Sequence, residues 1–324
     1  MWQFYLTILF TFFIIVKHVT CSLGDRSQFY RDCIFECYAS VCEHNAQFEV
    51  RGSSIDRPLT EWSCEDDCAY NCMWETVDHF LQHGHKVPQF HGKWPFARIY
   101  GFQEPASVIF SIFNFWAHVL MYIRFRKETR PGSPMALLWT YFTVVCLNAW
   151  FWSAIFHARD RPFTEMMDYS CAFAMVITLF YCMLMRIAYN NKKAYLVITC
   201  AYISILFTHL SHLWSGKINY GYNMKINILI GFLTFLITII WWYLNHRRLR
   251  HAYLIGWFNI LTVLVTLFEV ADFPPYRWIF DAHALWHAST APLTFFLYRF
   301  IISDCQYLRK QSTQVQLDYR QFYN

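Results

Sequence analysis

Three histidines, a serine and an aspartate stand at positions where their side chains can do chemistry within an apolar chain. Ser153 and His157 are four residues apart, as are His283 and His287, so each pair shares one face of a helix. Asp168 follows His157 closely, across a short polar turn. Because ionisable groups inside a membrane are costly unless paired or bound to a metal, these five residues are candidates for function.

The chemistry that these residue types favour is metal-assisted hydrolysis. Three imidazoles around one open position are the usual frame of a catalytic zinc site, so His157, His283 and His287 are predicted to bind Zn²⁺. Asp168 can orient the attacking water or take its proton, and Ser153 can stabilise developing negative charge. Direct attack by Ser153 is disfavoured, because no histidine is left to activate it once all three bind metal.

Other polar residues of the apolar segments have simpler interpretations. Isolated membrane histidines are usually hydrogen-bonded packing residues, which is the prediction for His118, His209 and His212. Four carboxylates near the predicted site are left outside the ligand set, either as water-exposed caps or as groups that position a ligand from behind. They are Glu165, Glu269, Asp272 and Asp281.

The elements that must position the site are membrane-spanning helices. The chain is 56% hydrophobic and 15% charged, whereas a soluble domain carries roughly 25% charged residues. Seven apolar stretches are each long enough to cross a bilayer as a helix. They are residues 106–123, 135–157, 166–186, 195–214, 226–245, 252–271 and 281–302. The prediction is an all-α membrane protein with a seven-transmembrane helix bundle. The scattered basic residues argue against nucleic-acid binding.

Basic residues near helix ends predict the orientation of the bundle. Lysine and arginine are retained on the cytoplasmic side. They are concentrated after the first, third and fifth spans, which puts the N-terminus and the five candidate residues on the luminal side. The predicted organisation is a signal peptide at 1–22, a luminal cysteine-rich region at 23–103, the membrane domain at 104–303 and a cytosolic tail at 304–324. An uncleaved signal anchor is the alternative for the first segment.

Six cysteines lie close together in the predicted luminal region, namely Cys33, Cys37, Cys42, Cys64, Cys68 and Cys72. In an oxidising compartment they predict three disulfides, and their spacing places sulfurs on one face of each of two short helices. The connectivity stays open. A zinc knuckle is the alternative, although no C-x2-C pair is present. The cysteines of the apolar segments, Cys146, Cys171, Cys182, Cys200 and Cys305, are predicted to be small buried hydrophobic residues.

Three segments resemble the signature of a known superfamily of seven-span proteins. They are residues 147–157, ending in Ser153-x3-His157, then Met167–Asp168–Tyr169, then residues 281–287, with His283 and His287. That superfamily includes alkaline ceramidases, adiponectin and progestin receptors, and GPI-lipid remodelling proteins. A closer resemblance, to the post-GPI-attachment-to-proteins factor 3 family, covers nearly the whole mature chain. It includes residues 61–74, residues 85–96 and the string Asp272–Phe273–Pro274–Pro275.

The resemblance implies zinc binding by the three histidines and removal of the sn-2 acyl chain from the lipid of GPI-anchored proteins. This is an acyl-ester hydrolysis of phospholipase A2 type. It also implies residence in the Golgi membrane, with the endoplasmic reticulum as the alternative. Two other functions remain open: a ceramidase-like amide hydrolase, and a non-catalytic seven-span receptor or cargo factor in which zinc is structural.

Overall fold

A computed structural model describes residues 22–42, 58–216 and 218–323, so the predicted signal peptide lies outside the described residues except for Ser22. The described chain is helical. Its helices are α1 (Leu23–Arg26), α2 (Gln28–Cys37) with a π-helical turn at Tyr38–Cys42, α3 (Cys64–Gln82), α4 (Pro105–Glu128), α5 (Ala136–Ala158), α6 (Pro162–Ile187), α7 (Lys192–Leu213), α8 (Tyr220–Asn245), α9 (Ala252–Ala271) and α10 (Ala282–Tyr323).

The helices belong to two compact units. The first unit contains the described residues up to Ala106 together with Val270–Ala282, and the second contains Ser107–Glu269 and His283 onwards. The predicted luminal region was the continuous stretch 23–103. In the structure, the connection between α9 and α10 also belongs to the first unit. No pattern along the chain indicated this.

Three disulfides hold the N-terminal unit together. They join Cys33 to Cys72, Cys37 to Cys68 and Cys42 to Cys64, with Cα atoms 5.7, 5.8 and 5.7 Å apart. This nested order staples α2 and its π-helical turn against α3 in an antiparallel hairpin, which confirms the predicted stapling of two helices. With these sulfurs oxidised, none is a thiolate ligand for a zinc knuckle.

A small core and a stacked arginine complete the N-terminal unit. Tyr30, Val77 and Phe90 pack around the disulfides, and burial raises the pKa of the Tyr30 hydroxyl to about 12, which keeps it neutral. Arg98 lies 3.4 Å above the Trp62 ring. This unit is therefore stabilised by both crosslinks and packing.

The second unit contains the membrane helices. Helices α4 to α9 are each long and apolar enough to span a bilayer, which confirms six of the predicted spans. The predicted seventh span corresponds to the start of α10, whose first turns carry polar side chains. The chain is an all-α membrane protein with a disulfide-rich N-terminal region.

The turn between α5 and α6 brings two of the predicted site residues to the same end of the bundle. Helix α5 ends at Ala158, where the following residue, Arg159, is extended. Pro162 occupies the first turn of α6, a position where its missing N–H costs nothing. The Thr164 hydroxyl accepts a hydrogen bond from the Arg161 N–H at 2.9 Å. His157, at the end of α5, and Asp168, near the start of α6, are held on either side of this turn.

Candidate metal centre

Three imidazoles from two helices converge at one end of the membrane unit. His157 lies in the last turn of α5, and His283 and His287 lie in the first two turns of α10. One ring nitrogen of each lies within 4.8 Å of the other two. His157 and His287 are only 3% and 2% exposed. The structure therefore brings together the three residues that the sequence predicted as metal ligands.

A serine from a third helix fixes the tautomer of His287. Ser111 on α4 donates its single hydroxyl proton to the Ser107 carbonyl oxygen at 2.7 Å. Its oxygen must therefore act as the acceptor for the two other groups in reach, His287 Nδ1 at 3.1 Å and Ser153 Oγ at 3.1 Å. His287 thus carries its proton on Nδ1, and its Nε2 presents a lone pair.

A carboxylate fixes His283 in the same way. Glu269, near the end of α9, accepts a hydrogen bond from His283 Nδ1 at 2.7 Å. The Nε2 atoms of His283 and His287 lie 2.9 Å apart. Two lone pairs repel each other at this distance unless a cation lies between them. Two rings at this distance can share a cation, and the nearby third imidazole, His157, makes the group a candidate site for a metal ion.

Polar and aromatic groups hold the start of α10 in place. Asn114 of α4 donates to the His287 carbonyl oxygen at 2.7 Å and accepts from the Thr290 hydroxyl at 3.1 Å. The Trp150 ring meets the His287 ring edge-on, with centroids 5.4 Å apart. Within the described part of the chain, the buried Nε1 of Trp150 has no hydrogen-bond acceptor. An indole donor is therefore available beside the histidines.

Ser153 and Asp168 are the two remaining residues of the predicted site. Ser153 is 6% exposed and bonds to Ser111, which is not a base and would not activate Ser153 as a nucleophile. Asp168 is partly buried near the start of α6. The catalytic roles of both residues stay predictions.

Sequence reasoning missed the contribution of α4. Ser107, Ser111 and Asn114 are all buried, and their spacing of four and three residues puts them on one face of an otherwise apolar helix. That spacing was the available signal, since polar side chains in a membrane helix face the protein interior.

The other polar residues of the apolar segments have different partners. His118 bonds to the Tyr298 hydroxyl at 3.1 Å and His209 to Asn223 Oδ1 at 3.1 Å, so both are hydrogen-bonded packing residues as predicted. Of the four carboxylates, Glu269 positions His283. Asp272 instead accepts from Trp94 Nε1 at 2.7 Å within the N-terminal unit.

Comparison with known proteins gives a consistent assignment. The profile of the Per1-like family matches residues 54–305. The chain is 40% identical over 297 residues to the GPI-specific phospholipase A2-like PGAP3 of Homo sapiens, covering 90% of this chain and 92% of that protein. The PGAP3 of Xenopus laevis is 42% identical over 303 residues, 90% and 93% of the two chains.

A relative from an insect carries the other name used for these proteins. The post-GPI attachment to proteins factor 3 of Drosophila melanogaster is 41% identical over 292 residues, 88% of this chain and 89% of that protein. No solved structure matches the chain. On the extent of the profile match and of these identities, the chain belongs to the Per1-like family.

Proposed function

We propose that the chain is a zinc-dependent hydrolase that removes the sn-2 acyl chain from the lipid of GPI-anchored proteins. The observation that carries the proposal is the convergence of His157, His283 and His287, with one nitrogen of each within 4.8 Å of the others. A structural packing role alone would not require three imidazoles from two helices to converge so closely.

The donor set fits Zn²⁺. This ion prefers nitrogen and sulfur ligands in tetrahedral geometry, and three imidazoles leave a fourth position open for chemistry. When bound, the ion would supply Lewis-acid activation of water and of an ester carbonyl. Glu269 and Ser111 would hold the rings of His283 and His287 with their Nε2 atoms directed inward.

The chain itself supplies donors and an acceptor for the remaining chemistry. The Ser153 hydroxyl can turn from Ser111 to donate to the ester oxygen as negative charge develops there. The buried Trp150 N–H is a second donor in the same region. Asp168 is the proposed proton acceptor that orients the attacking water.

The names of the relatives support the substrate. Proteins 40% and 42% identical to this chain are named as GPI-specific phospholipase A2-like, and the three-histidine centre is suited to hydrolysis of an acyl ester. We place the site at the luminal leaflet of the Golgi membrane. The compartment is what the family resemblance implies, with the endoplasmic reticulum as the alternative. The support for the luminal side is the concentration of lysine and arginine after the first, third and fifth spans, which predicts that the helix ends bearing the histidines are luminal.

The test is acyl release by the purified full-length protein. The substrate is a GPI-anchored protein labelled in its sn-2 acyl chain, and His283→Ala is expected to abolish release of the label. His212→Ala is the matched control, because His212 is an exposed membrane-helix histidine that contacts the Tyr222 ring instead. Equal activity of His283→Ala and wild type would overturn the proposal.

A second substrate separates the remaining functions. Ceramide offers an amide to the same centre, so its hydrolysis in place of the GPI lipid would indicate a ceramidase-like enzyme. Stoichiometric zinc with no turnover of either substrate would indicate a receptor or cargo factor with structural zinc.

A further inference from the structure

A polar cavity lies at the opposite end of the membrane unit from the histidines. Its volume is about 400 Å³, and it is lined by the ends of α6 and α8 and by the middle of α10. Asp304, beside this cavity, is seventeen residues after His287 on α10, or about 26 Å along the helix axis. Ligand pockets in proteins have volumes of roughly 300–1,000 Å³, so the polar cavity is large enough for a small headgroup.

Arg186 contributes to one wall of the polar cavity, and two hydrogen bonds hold its guanidinium group in place. Arg186 is 8% exposed. Its Nη2 donates to Asp304 Oδ1 at 2.8 Å, and its Nε donates to the other oxygen of the same carboxylate. The Trp241 ring lies 5.2 Å away. Nη1 takes part in neither bond to Asp304, so its hydrogens are not committed to that carboxylate.

A second arginine lines the polar cavity from the solvent side. Arg248 is exposed, and its Nη2 lies 3.4 Å from the Tyr307 hydroxyl, which lines the cavity as well. Asn191, another lining residue, caps the N-terminus of α7 by accepting from the Ala194 N–H at 3.1 Å. The positive end of that helix dipole therefore borders the cavity.

The segments that surround the polar cavity are strongly basic. Residues 186–193, 245–251 and 304–311 carry eight lysines and arginines and a single carboxylate. That carboxylate, Asp304, is fully buried and bonds to both Arg186 and His251. Asp304 does not line the cavity and offsets the charge of Arg186 and His251, whereas Arg186 and Arg248 both line it, and Arg248 has no carboxylate partner among the contacts found for it in the described residues.

We propose that the polar cavity binds a phosphate-bearing headgroup. A planar guanidinium matches phosphate oxygens in geometry as well as charge, and basic pockets at the cytoplasmic ends of membrane helices bind anionic lipid headgroups. The headgroup can come from a phosphoinositide of the adjacent leaflet or from a soluble inositol phosphate. The two sources share the same phosphate chemistry.

The test is binding to the full-length protein in phosphatidylcholine nanodiscs, measured without any turnover. One arm titrates inositol 1,4-bisphosphate in solution, and the other compares nanodiscs with and without fluorescent phosphatidylinositol 4-phosphate. Saturable binding is expected in at least one arm. Binding of the soluble probe shows that the headgroup suffices, and binding only in the lipid arm assigns the site to a phosphoinositide.

Arg248→Gln is the variant that tests the cavity, and Arg250→Gln is its matched control. Arg250 is also exposed and lies on the same connection, but it does not line the cavity. We expect Arg248→Gln to weaken binding about tenfold or more, because it removes a charged hydrogen-bond donor, and Arg250→Gln to weaken it by about twofold through general electrostatics. Equal losses in the two variants, or the absence of saturable binding in both arms, would overturn the proposal.

Discussion

At the scale of single residues, the hydrogen bonds of the histidine Nδ1 atoms determine how the rings of the candidate metal centre are oriented. His283 donates from Nδ1 to Glu269, and His287 donates from Nδ1 to Ser111, which leaves two Nε2 lone pairs 2.9 Å apart. Hydrogen bonds behind metal ligands orient the rings and raise their basicity. The polar residues on α4 and α9 are therefore as much a part of the centre as the histidines.

Replacement of Glu269 tests this role. In Glu269→Gln the side chain can still accept the hydrogen bond from His283, but the negative charge that raises the basicity of the ring is lost. We expect the Kd for Zn²⁺ to rise about 10–100-fold, measured by competition of the purified protein with a chromophoric chelator.

The matched control for that substitution is Glu128→Gln. Glu128 ends α4 on the side away from the histidines and pairs with Arg124 on the surface, so its replacement should change the Kd by less than about twofold. An unchanged Kd in Glu269→Gln would mean that Glu269 does not tune the centre.

The histidines were predictable from sequence, whereas their supporting residues were harder to identify. Spacing i, i+4 was enough to pair His283 with His287, and burial of ionisable groups in a membrane singled out His157. Ser111 acts through two acceptor contacts across helices, and a serine in an apolar helix more often bonds only to its own backbone. Only tertiary packing distinguishes a serine that bonds to another helix from one that bonds to its own backbone, and local sequence does not predict that packing.

At the scale of helices, one close contact between α8 and α9 depends on a missing side chain. A Cβ atom built at Gly256 would lie 2.7 Å from Trp242 Nε1 and 3.0 Å from two other atoms of the same ring. An indole ring is rigid, so it can move only as a whole. Gly256 therefore sets how closely these two helices approach each other, as small residues do between membrane helices.

Substitution of this glycine should separate the two helices. We expect Gly256→Ala to lower the free energy of unfolding by about 1–3 kcal/mol, because the added methyl group overpacks the interface. The measurement is thermal unfolding of the purified protein in detergent, followed by the recovery of monodisperse protein.

A second glycine in the same pair of helices provides the control. Gly231 lies in α8 and is exposed, and a Cβ atom there would meet nothing within 4 Å. Gly231→Ala is expected to be neutral or to stabilise the protein by up to about 1 kcal/mol through helix propensity. Comparable destabilisation by both substitutions would indicate an effect of alanine on the helices themselves and not of the contact with Trp242.

Helix positions were predictable from apolar length, and helix ends were not. The predicted span 226–245 shares its end with α8, but α8 begins at Tyr220, where Asn219 accepts from the Tyr222 N–H at 3.0 Å. The predicted span 281–302 is only the first half of α10, which continues to Tyr323. Hydropathy reports the apolar part of a helix, whereas caps and polar extensions decide where the helix begins and ends.

At the scale of the whole membrane unit, the centre links elements that are distant in sequence. Its three histidines come from α5 and α10, and the residues that hydrogen-bond to His283 and His287 come from α9 and α4. His157 and His283 are separated by 126 positions in the chain. A shared metal ion would therefore act as a crosslink that exists only in the folded state, and its binding free energy would add to stability.

Removal of the metal should therefore destabilise the unit in a way that depends on the histidines. At free Zn²⁺ of about 1,000 times the Kd, linkage predicts a stabilisation of about 4 kcal/mol. A chelator should lower the Tm of the wild-type protein accordingly, and added Zn²⁺ should restore it. Mg²⁺ should not restore the Tm, because it prefers oxygen ligands.

The triple variant His157→Ala, His283→Ala, His287→Ala should have a Tm that is insensitive to both chelator and zinc. A triple variant that still responds would locate the stabilising ion at some other site, and a wild-type Tm unaffected by chelation would leave the convergence of the three imidazoles to be explained by hydrogen bonding alone.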